Sequence, residues 1–470
     1  MAAMHSLTPL APRAGADALP FTGFAMSTSM QMQPAPTERF APSEAQDSAI
    51  MRKVSRRVLG FIFLLFIASF LDRINIGFAG LTMIKDLGLS ATQFGTATSL
   101  FYLAYIACGI PSNFALARIG ARRWISSLMV IWGVASSATM FATDAHTLYA
   151  LRVAVGIAEA GFLPGMLLYL TYWFPAAYRA RANALFMLAM PVTAALGSAV
   201  SGVLLGLNGQ GGLRGWQWMF LLEGSPAAIL GIVAFFYLND APRDALWLTA
   251  QERESLIRTL ASDRPPERPT TTRLLPKLLS KGVILGAIAY FCLVNTLSML
   301  AAWTPLIVKG FNAGASNLTI GLLAAIPQVC TALTMLWWGK RSDRHGERHW
   351  HTAGPMLFAA GGWLMTALSN DQHLQLLGLC MACSGAYAAM TVFWTIPDRS
   401  MSLQVRAMGI AVVNALGNIS SVVSPAFIGW LKDVTHTFTA GLFYATALLF
   451  VGATVILAMR SASVAPTVGR

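Results

Sequence analysis

Charge is what this sequence has least of. Asp, Glu, Lys and Arg make up 11% of its 470 residues, where a soluble domain carries about 25%. That scarcity excludes a soluble enzyme. The same composition excludes a disordered chain, which needs low hydrophobicity. Cysteine is also rare. Cys108, Cys292, Cys330, Cys380 and Cys383 all sit inside apolar runs, so they are not the framework of a small secreted protein. Cys380 and Cys383 are spaced C-x-x-C, but their apolar surroundings mark them as small packing residues. No G-x-x-x-x-G-K-[ST] occurs, which removes an ATP-driven pump. No histidine lies in the middle of an apolar run. The cluster His345, His349 and His351 has no thiol beside it, so no metal and no other cofactor is expected. The buried polar residues show no nucleophile–His arrangement, so no enzymatic activity is expected either. Residues 1–50 lack the apolar core of about 7–15 residues that a signal peptide needs. They read as a cytoplasmic tail, or as an over-extended start with Met26, Met30, Met32 and Met51 as alternatives.

What fills the chain instead is hydrophobic, at 56%. A membrane-spanning helix takes about 20 apolar residues. Twelve long apolar segments are found near 58–80, 92–115, 123–142, 147–172, 182–205, 218–238, 282–309, 318–338, 353–369, 373–395, 407–430 and 437–460. Their continuity argues against a β-barrel, whose strands alternate. The expected class is an all-α membrane protein with twelve transmembrane helices in two six-helix bundles. The bundles would be 58–238 and 282–460. Between them lies a central loop, 239–281, and tails at 1–57 and 461–470 flank them. The net charge of +13 needs no nucleic acid to explain it. If the N-terminus is inside, 27 Lys and Arg fall on the cytoplasmic side, against Lys85, Arg214, Lys309 and Lys432 outside. That asymmetry puts both termini in the cytoplasm.

The two halves repeat weakly. Tyr172-Trp173-Phe174-Pro175 followed by Arg181-Ala182 matches Phe393-Trp394-Thr395-Ile396-Pro397 followed by Arg406-Ala407. Parallel six-helix repeats imply a binding site between them near the midplane. The loop after the eighth segment holds Gly339, Asp343, Arg344, Gly346 and Arg348, and the loop after the second holds Arg118, Gly120 and Arg122. A short basic turn with one Asp can pair across a helix end and hold one conformation. The first loop fits the G-x-x-x-D-R-x-G-x-R pattern, and so the chain resembles the major facilitator superfamily of secondary transporters. The second copy has Asn113 and Ala117 where the pattern has Gly and Asp.

A narrower resemblance covers nearly everything after residue 51. Leu71-Asp72-Arg73-Ile74-Asn75-Ile76-Gly77-Phe78 is similar to the first helix of the anion:cation symporter family. So are the Arg152…Gly156…Glu159-Ala160-Gly161-Phe162…Pro164-Gly165 run and Gly215-Trp216-Gln217-Trp218…Glu223-Gly224. The resemblance implies transport of an organic anion, often with a proton, by a monomer. Stretches 77–90, 179–202, 303–321 and 430–433 most resemble the branch that carries 4-hydroxyphenylacetate. Tartrate, phthalate and sugar acids are the alternatives.

Charges inside a bilayer cost several kcal/mol and point to function. Asp72, Arg73, Arg152 and Glu159 lie well inside the apolar segments, all in the first half, with Glu223 nearer the outer end of the sixth. Asp72 sits roughly 21 Å above the inner end of the first segment, and Arg152 roughly 7–8 Å below the outer end of the fourth. On that estimate they share a depth and form a pair. Asp72 and Arg73 are successive, so they point about 100° apart. Arg73 is then expected to face the central space and hold the substrate carboxylate with its planar fork. Glu159 is expected to couple the proton, because burial disfavours a charged carboxylate. The resemblance implies the same roles. It also puts Tyr105, Trp394 and Asn414 at the substrate space.

Overall fold

The computed structural model describes residues 44–263, 280–396 and 403–464. Residues 1–43 and 465–470 of the expected tails (1–57 and 461–470), Pro397, and the side chains of Arg181 and Arg406 lie outside the described residues. All regular structure within them is helical. The chain begins with α1 (Glu44–Val54), which continues through a wider turn at Ser55–Leu59 into α2 (Gly60–Asp86). It proceeds through α3 (Ala91–Ile119), α4 (Ala121–Ala138), α5 (Ala145–Glu159), α6 (Phe162–Trp173), α7 (Ala176–Leu205) and α8 (Gly215–Tyr237). A short helix, α9 (Ala250–Ser262), follows. The second half contains α10 (Lys281–Phe311), α11 (Asn317–His345), α12 (His349–Leu368), α13 (Gln372–Phe393), α14 (Leu403–Thr435) and α15 (Thr439–Val464). Ten helical spans among the described residues are long and apolar enough to cross a membrane, and Ala189–Leu205 of α7 is a shorter apolar one. The protein is an all-α membrane protein of two six-helix bundles, α2–α8 and α10–α15.

Local chemistry sets the helix ends. The Ser90 hydroxyl accepts from the Gln93 N–H and starts α3. Asp144 caps α5 through the N–H groups of His146 and Thr147, and Asp371 caps α13 in the same way. Each cap satisfies a donor that would be orphaned at a helix start. The fourth segment is broken into α5 and α6 at Ala160–Gly161. Pro164 explains the break, since it has no N–H to give the Ala160 carbonyl. Gly161 fits there because a Cβ would stand 1.6 Å from Ser112 Oγ. Pro111, Pro191, Pro327 and Pro425 lie inside unbroken helices.

Two expected loop regions are partly helical. The tail expected to run to residue 57 is helical from Glu44. Ile50, Met51, Val54 and Val58 are buried in one core with Leu248 and Leu256, a spacing that gives one apolar helix face. The central loop contains α9, started by a Thr249–Glu252 capping box. Lys53 of α1 pairs with Glu252, and that contact holds the Glu252 carboxyl below the usual range.

Across the bundles, α3 packs on α14, α7 on α11 and α2 on α10. The face with Arg118, Arg122, Arg344 and Arg348 is the basic face. The tight contacts cluster at the opposite face. A Cβ at Gly95 would lie 2.2 Å from the Pro425 carbonyl oxygen, and one at Gly321 would lie 2.5 Å from that of Ser198. The Ser99 hydroxyl accepts from the Ala426 N–H at 3.2 Å. Asp433, at the end of α14, accepts from the Ala91 N–H at 2.9 Å, the Thr92 N–H at 2.8 Å and the Thr92 hydroxyl at 2.5 Å. It thus caps the start of α3 from the other bundle, where a helix N-terminus favours a carboxylate. The buried cores follow the same division. Ile76, Phe78, Met83, Phe94, Trp216 and Phe220 of the first bundle join the core of the second. The half of the first bundle toward the basic face has a separate core. The structure is therefore closed at the opposite face.

Asp433→Ala removes the cross-bundle cap. A lost cap costs about 0.5–2 kcal/mol, and here the loss falls on the closed conformation. Spin labels at Gln210 and Thr437 are expected to report a longer, broader distance distribution in Asp433→Ala. An unchanged distribution would show that the cap does not hold this face shut.

Candidate functional site

The site is built on α2. Asp72 and Arg73 point to different neighbours, as their spacing requires. Arg73 Nε donates to Glu159 Oε1 at 2.6 Å, and the Ser69 hydroxyl donates to the same oxygen at 3.0 Å. The Arg73 guanidinium lies 4.7 Å from the centre of the Tyr105 ring, a cation–π distance. Its Nη1 and Nη2 have no hydrogen-bond partner among the described residues. Arg73 keeps 18% of its side chain accessible, whereas Glu159 keeps 1%. Arg73 is therefore open to the space beside it, and Glu159 lies buried behind it. Glu159 is also the last residue of α5, beside the break at Ala160–Gly161. Its Oε2 has no partner.

The expected Asp72–Arg152 pair is not formed. Asp72 is instead held inside the first bundle. It accepts from Trp132 Nε1 at 2.5 Å, the Ser136 hydroxyl at 2.7 Å and Asn75 Nδ2 at 3.1 Å. Arg152 lies 4.7 Å over the Phe101 ring, and its Nε has no partner. The reason is depth. The expected depth of Asp72 is measured upward from residue 58 in a segment ending near residue 80, but α2 runs to Asp86. Asp72 is thus about 21 Å from the opposite-face end of its helix, as Glu159 is from the start of α5, while Arg152 is only about 10 Å in. Arg152 sits two turns away from the level of Asp72.

The second bundle contributes rings and amides. Trp394 packs on Tyr290 at 4.7 Å, and Tyr290 stacks on Phe393 at 5.1 Å. Asn414 is exposed, and its carbonyl oxygen and Oδ1 accept from Asn418 Nδ2 at 2.8 and 2.9 Å. Gly417, on the same helix, fits tightly on the Tyr290 ring, since a Cβ there would lie 2.1 Å from Cδ1. Tyr105 and Tyr290 are close enough to interact electrostatically across the interface. Arg73, Tyr105 and Glu159 are therefore brought together, with Tyr290 and Trp394 on the facing side. Sequence reading missed Tyr290, Trp132 and Ser136. Polar side chains one or two turns apart within apolar helices were the available signal.

The two basic loops differ. Gly346 ends α11 at φ 67°. Asp343 pairs with Arg348 at 2.9 Å, and Arg348 Nη1 donates to the Ser342 hydroxyl at 2.7 Å. This turn closes on itself, with Arg344 exposed and Gly339 half-buried on the last turns of α11. In the loop after α3, Gly120 has φ 93°. Asp240, just past α8, accepts from the Arg122 N–H at 2.8 Å. Arg122 Nε donates to the Phe235 carbonyl at 2.6 Å, and Arg118 is exposed. Asp240 supplies an acid beside the loop whose own motif position is Ala117. It was missed because it lies more than a hundred residues along the chain.

Arg73→Ala leaves Glu159 buried without its cation, and breaking a buried pair this way costs up to about 3–5 kcal/mol. The double variant Arg73→Ala/Glu159→Gln removes the stranded charge. Thermal melting in detergent is expected to rank wild type, then the double variant, then Arg73→Ala. A double variant less stable than Arg73→Ala would contradict the pair.

With this geometry in view, the chain can be set beside known proteins. It matches the Major Facilitator Superfamily over residues 61–317 and 311–468. It is 41% identical to a protein of Agrobacterium vitis named as a tartrate transporter, over 88% of this chain and 92% of that one. It is 35% identical to the metabolite transport protein NicT of Pseudomonas putida, over 87% and 94% of the two chains. The inner membrane transport protein RhmT of Escherichia coli is 34% identical over 89% and 97%. Among solved structures, a bacterial homologue of the human lysosomal transporter Spinster, inward-facing and occupied, superposes with a TM-score of 0.69 at 17% identity, covering 86% of this chain and 96% of that one. A D-xylose–proton symporter gives 0.68 at 14%, covering 85% and 96%. These two share the fold. By its sequence matches along nearly its whole length, the chain belongs to the Major Facilitator Superfamily and is a membrane transporter, not an enzyme.

Proposed function

We propose that this transporter is a proton-coupled symporter that imports a small organic carboxylate, with tartrate or a related hydroxy acid as its substrate. The observation that carries the reading is the shared cation. Arg73 gives Nε to Glu159 and keeps its two terminal nitrogens free in an accessible space. Arginine binds a carboxylate through two parallel N–H groups. A substrate carboxylate and the Glu159 carboxylate therefore compete for one guanidinium. Protonating Glu159 removes one competitor and lets the substrate bind, which links the two. Asp72, held by three donors, and Arg152 set the field around this pair. The site lies between two bundles that rock about it.

The relatives named as tartrate transporters favour a hydroxy acid over the 4-hydroxyphenylacetate suggested by local sequence stretches. One observation keeps the aromatic acid as a second reading. Tyr105 lies 4.7 Å from the Arg73 guanidinium, Trp394 packs on Tyr290 in the second bundle, and rings favour offset or edge contact with another ring. Asn414 would then orient the substrate's polar end. In this reading the basic face is cytoplasmic, the protein lies in a bacterial inner membrane as a monomer, and the structure faces inward. The loops with Asp343, Arg348, Gly120 and Arg122 gate the basic face.

Proteoliposomes with an inward proton gradient test this with labelled tartrate and 4-hydroxyphenylacetate in parallel. Accumulation above equilibrium is expected for tartrate in the wild type and is expected to vanish in Arg73→Ala. Glu159→Gln is expected to keep tartrate counterflow and lose gradient-driven accumulation. Accumulation of the aromatic acid alone would select the second reading. Gradient-driven accumulation by Glu159→Gln would remove the coupling role of that residue.

A further inference from the structure

One buried carboxylate stands outside the scheme above. Glu223, on α8, is 1% exposed and lies about 12 Å from the opposite-face end of its helix. The Ser201 hydroxyl donates to its Oε1 at 2.7 Å, and its Oε2 has no partner. Of the helices packed on α8, α7 brings Ser201, α4 brings Ser136 and Ser137, and α2 brings Asp72. No cation meets Glu223 among the described residues. Asp72 accepts three hydrogen bonds, and Glu159 has Arg73 and Ser69. Glu223 has one donor, so it is the buried carboxylate least equipped to hold a charge, and burying an unpaired charge costs far more than burying the neutral acid.

Its surroundings give it a direction. A Cβ at Gly224, the next residue, would lie 2.7 Å from Ser137 Oγ and 3.1 Å from Ser136 Cβ. Ser136 donates to Asp72, and Ser137 Oγ is buried without a partner. A hydroxyl both donates and accepts, and the two open groups, Glu223 Oε2 and Ser137 Oγ, sit on packed helices without being hydrogen-bonded to each other. Asp72 interacts electrostatically with Glu159 in turn. On the outer side, Ser201 precedes Gly202, whose backbone meets Gly321 of the other bundle. Opening the opposite face parts α7 from α11 at that contact and brings water toward Ser201 and Glu223.

We propose that Glu223 is the intake of a proton line, from Glu223 to Asp72 to Glu159, that crosses the first bundle beside the substrate space rather than through it. The proposal rests on the proton-coupled reading above. A proton from water at the opened opposite face converts the Glu223 carboxylate to the acid. It moves through the Ser137 and Ser136 hydroxyls, each accepting one proton and releasing another, to Asp72. From Asp72 it reaches Glu159, frees Arg73 for the substrate, and leaves Glu159 to water at the basic face.

The test combines a spectroscopic and a transport arm on the full chain. Infrared difference spectra between pH values read buried carboxyl groups directly and need no substrate. Glu223→Gln is expected to delete one titrating carboxylic-acid carbonyl band, and Glu223→Asp to move it. Ser201→Ala, which keeps the carboxyl and removes its donor, is expected to shift the pH at which that band appears, and it decides the matter if Glu223→Gln does not fold. In the transport arm, Glu223→Gln is expected to lose gradient-driven tartrate accumulation and keep counterflow. Superimposable spectra for wild type and the folded variants would overturn the proposal. So would full gradient-driven accumulation by Glu223→Gln beside an active wild type. A wild type that moves no tartrate overturns the substrate assignment instead, and the spectra still decide the role of Glu223.

Discussion

The Arg73–Glu159 ion pair is the constraint on which the rest of the first bundle turns. A guanidinium and a carboxylate inside a bilayer are each costly, and pairing offsets that cost only when the remaining donors and acceptors are placed well. Here the placement is deliberately incomplete. Glu159 Oε2 has no partner, and the outer edge of Arg73 is open. A fully satisfied pair would be a rigid tie between α2 and α5. A half-satisfied pair can be traded for another carboxylate or for a proton. Pro164 contributes by breaking the fourth segment just past Glu159, which frees the local backbone from a continuous helix.

The two bundles divide the work chemically. The first holds Asp72, Arg73, Arg152, Glu159 and Glu223, the acidic and basic side chains found deep in the fold among the described residues. The second offers Tyr290, Trp394, Asn414 and Asn418, which carry no charge and present flat or amide surfaces. In the proposed function, a substrate between them would meet a cation on one side and neutral recognition on the other. That asymmetry suits a carrier. Rocking the neutral bundle away does not strand a charge, because every ionised partner of Arg73 travels with it on the first bundle.

Much of this arrangement could be read from residues alone, and the failures are physical. Each of the twelve hydropathy runs falls on helical structure, and ten spans among the described residues are long and apolar enough to cross a membrane, because a bilayer demands length and apolarity whatever else a helix does. The divergence of Asp72 from Arg73 followed from helical geometry. The Asp72–Arg152 pair fails because a depth taken upward from residue 58 leaves open how far the helix runs beyond Asp72. The helix itself continued for another turn and a half through Ile84, Lys85 and Asp86, past the apolar run. Hydropathy marks where lipid ends, whereas hydrogen bonding marks where a helix ends. Asp240 beside the Arg122 loop and Asp433 on α3 were out of reach for a different reason. Their partners lie 118 and more than 300 residues away, and no periodicity encodes such a contact.

Asp433 also bears on why the closed face sits where it does. At the opposite face the bundles share one core and a carboxylate from α14 caps α3, so closing that end satisfies helix-start donors that water would otherwise serve. Ser90 and Gln93 cap each other on the same helix, so α3 keeps a start of its own when Asp433 withdraws. The cross-bundle cap is therefore an addition to an intact helix rather than a condition for it. It can be made and broken without unfolding a turn, and its energy is of the modest size that thermal motion and a bound substrate can overcome. Toward the basic face the first bundle keeps a core of its own, reinforced by α1 and α9, so separation there exposes no shared apolar layer. A stable core on one side and a reversible cap on the other are what a pivoting two-bundle carrier requires.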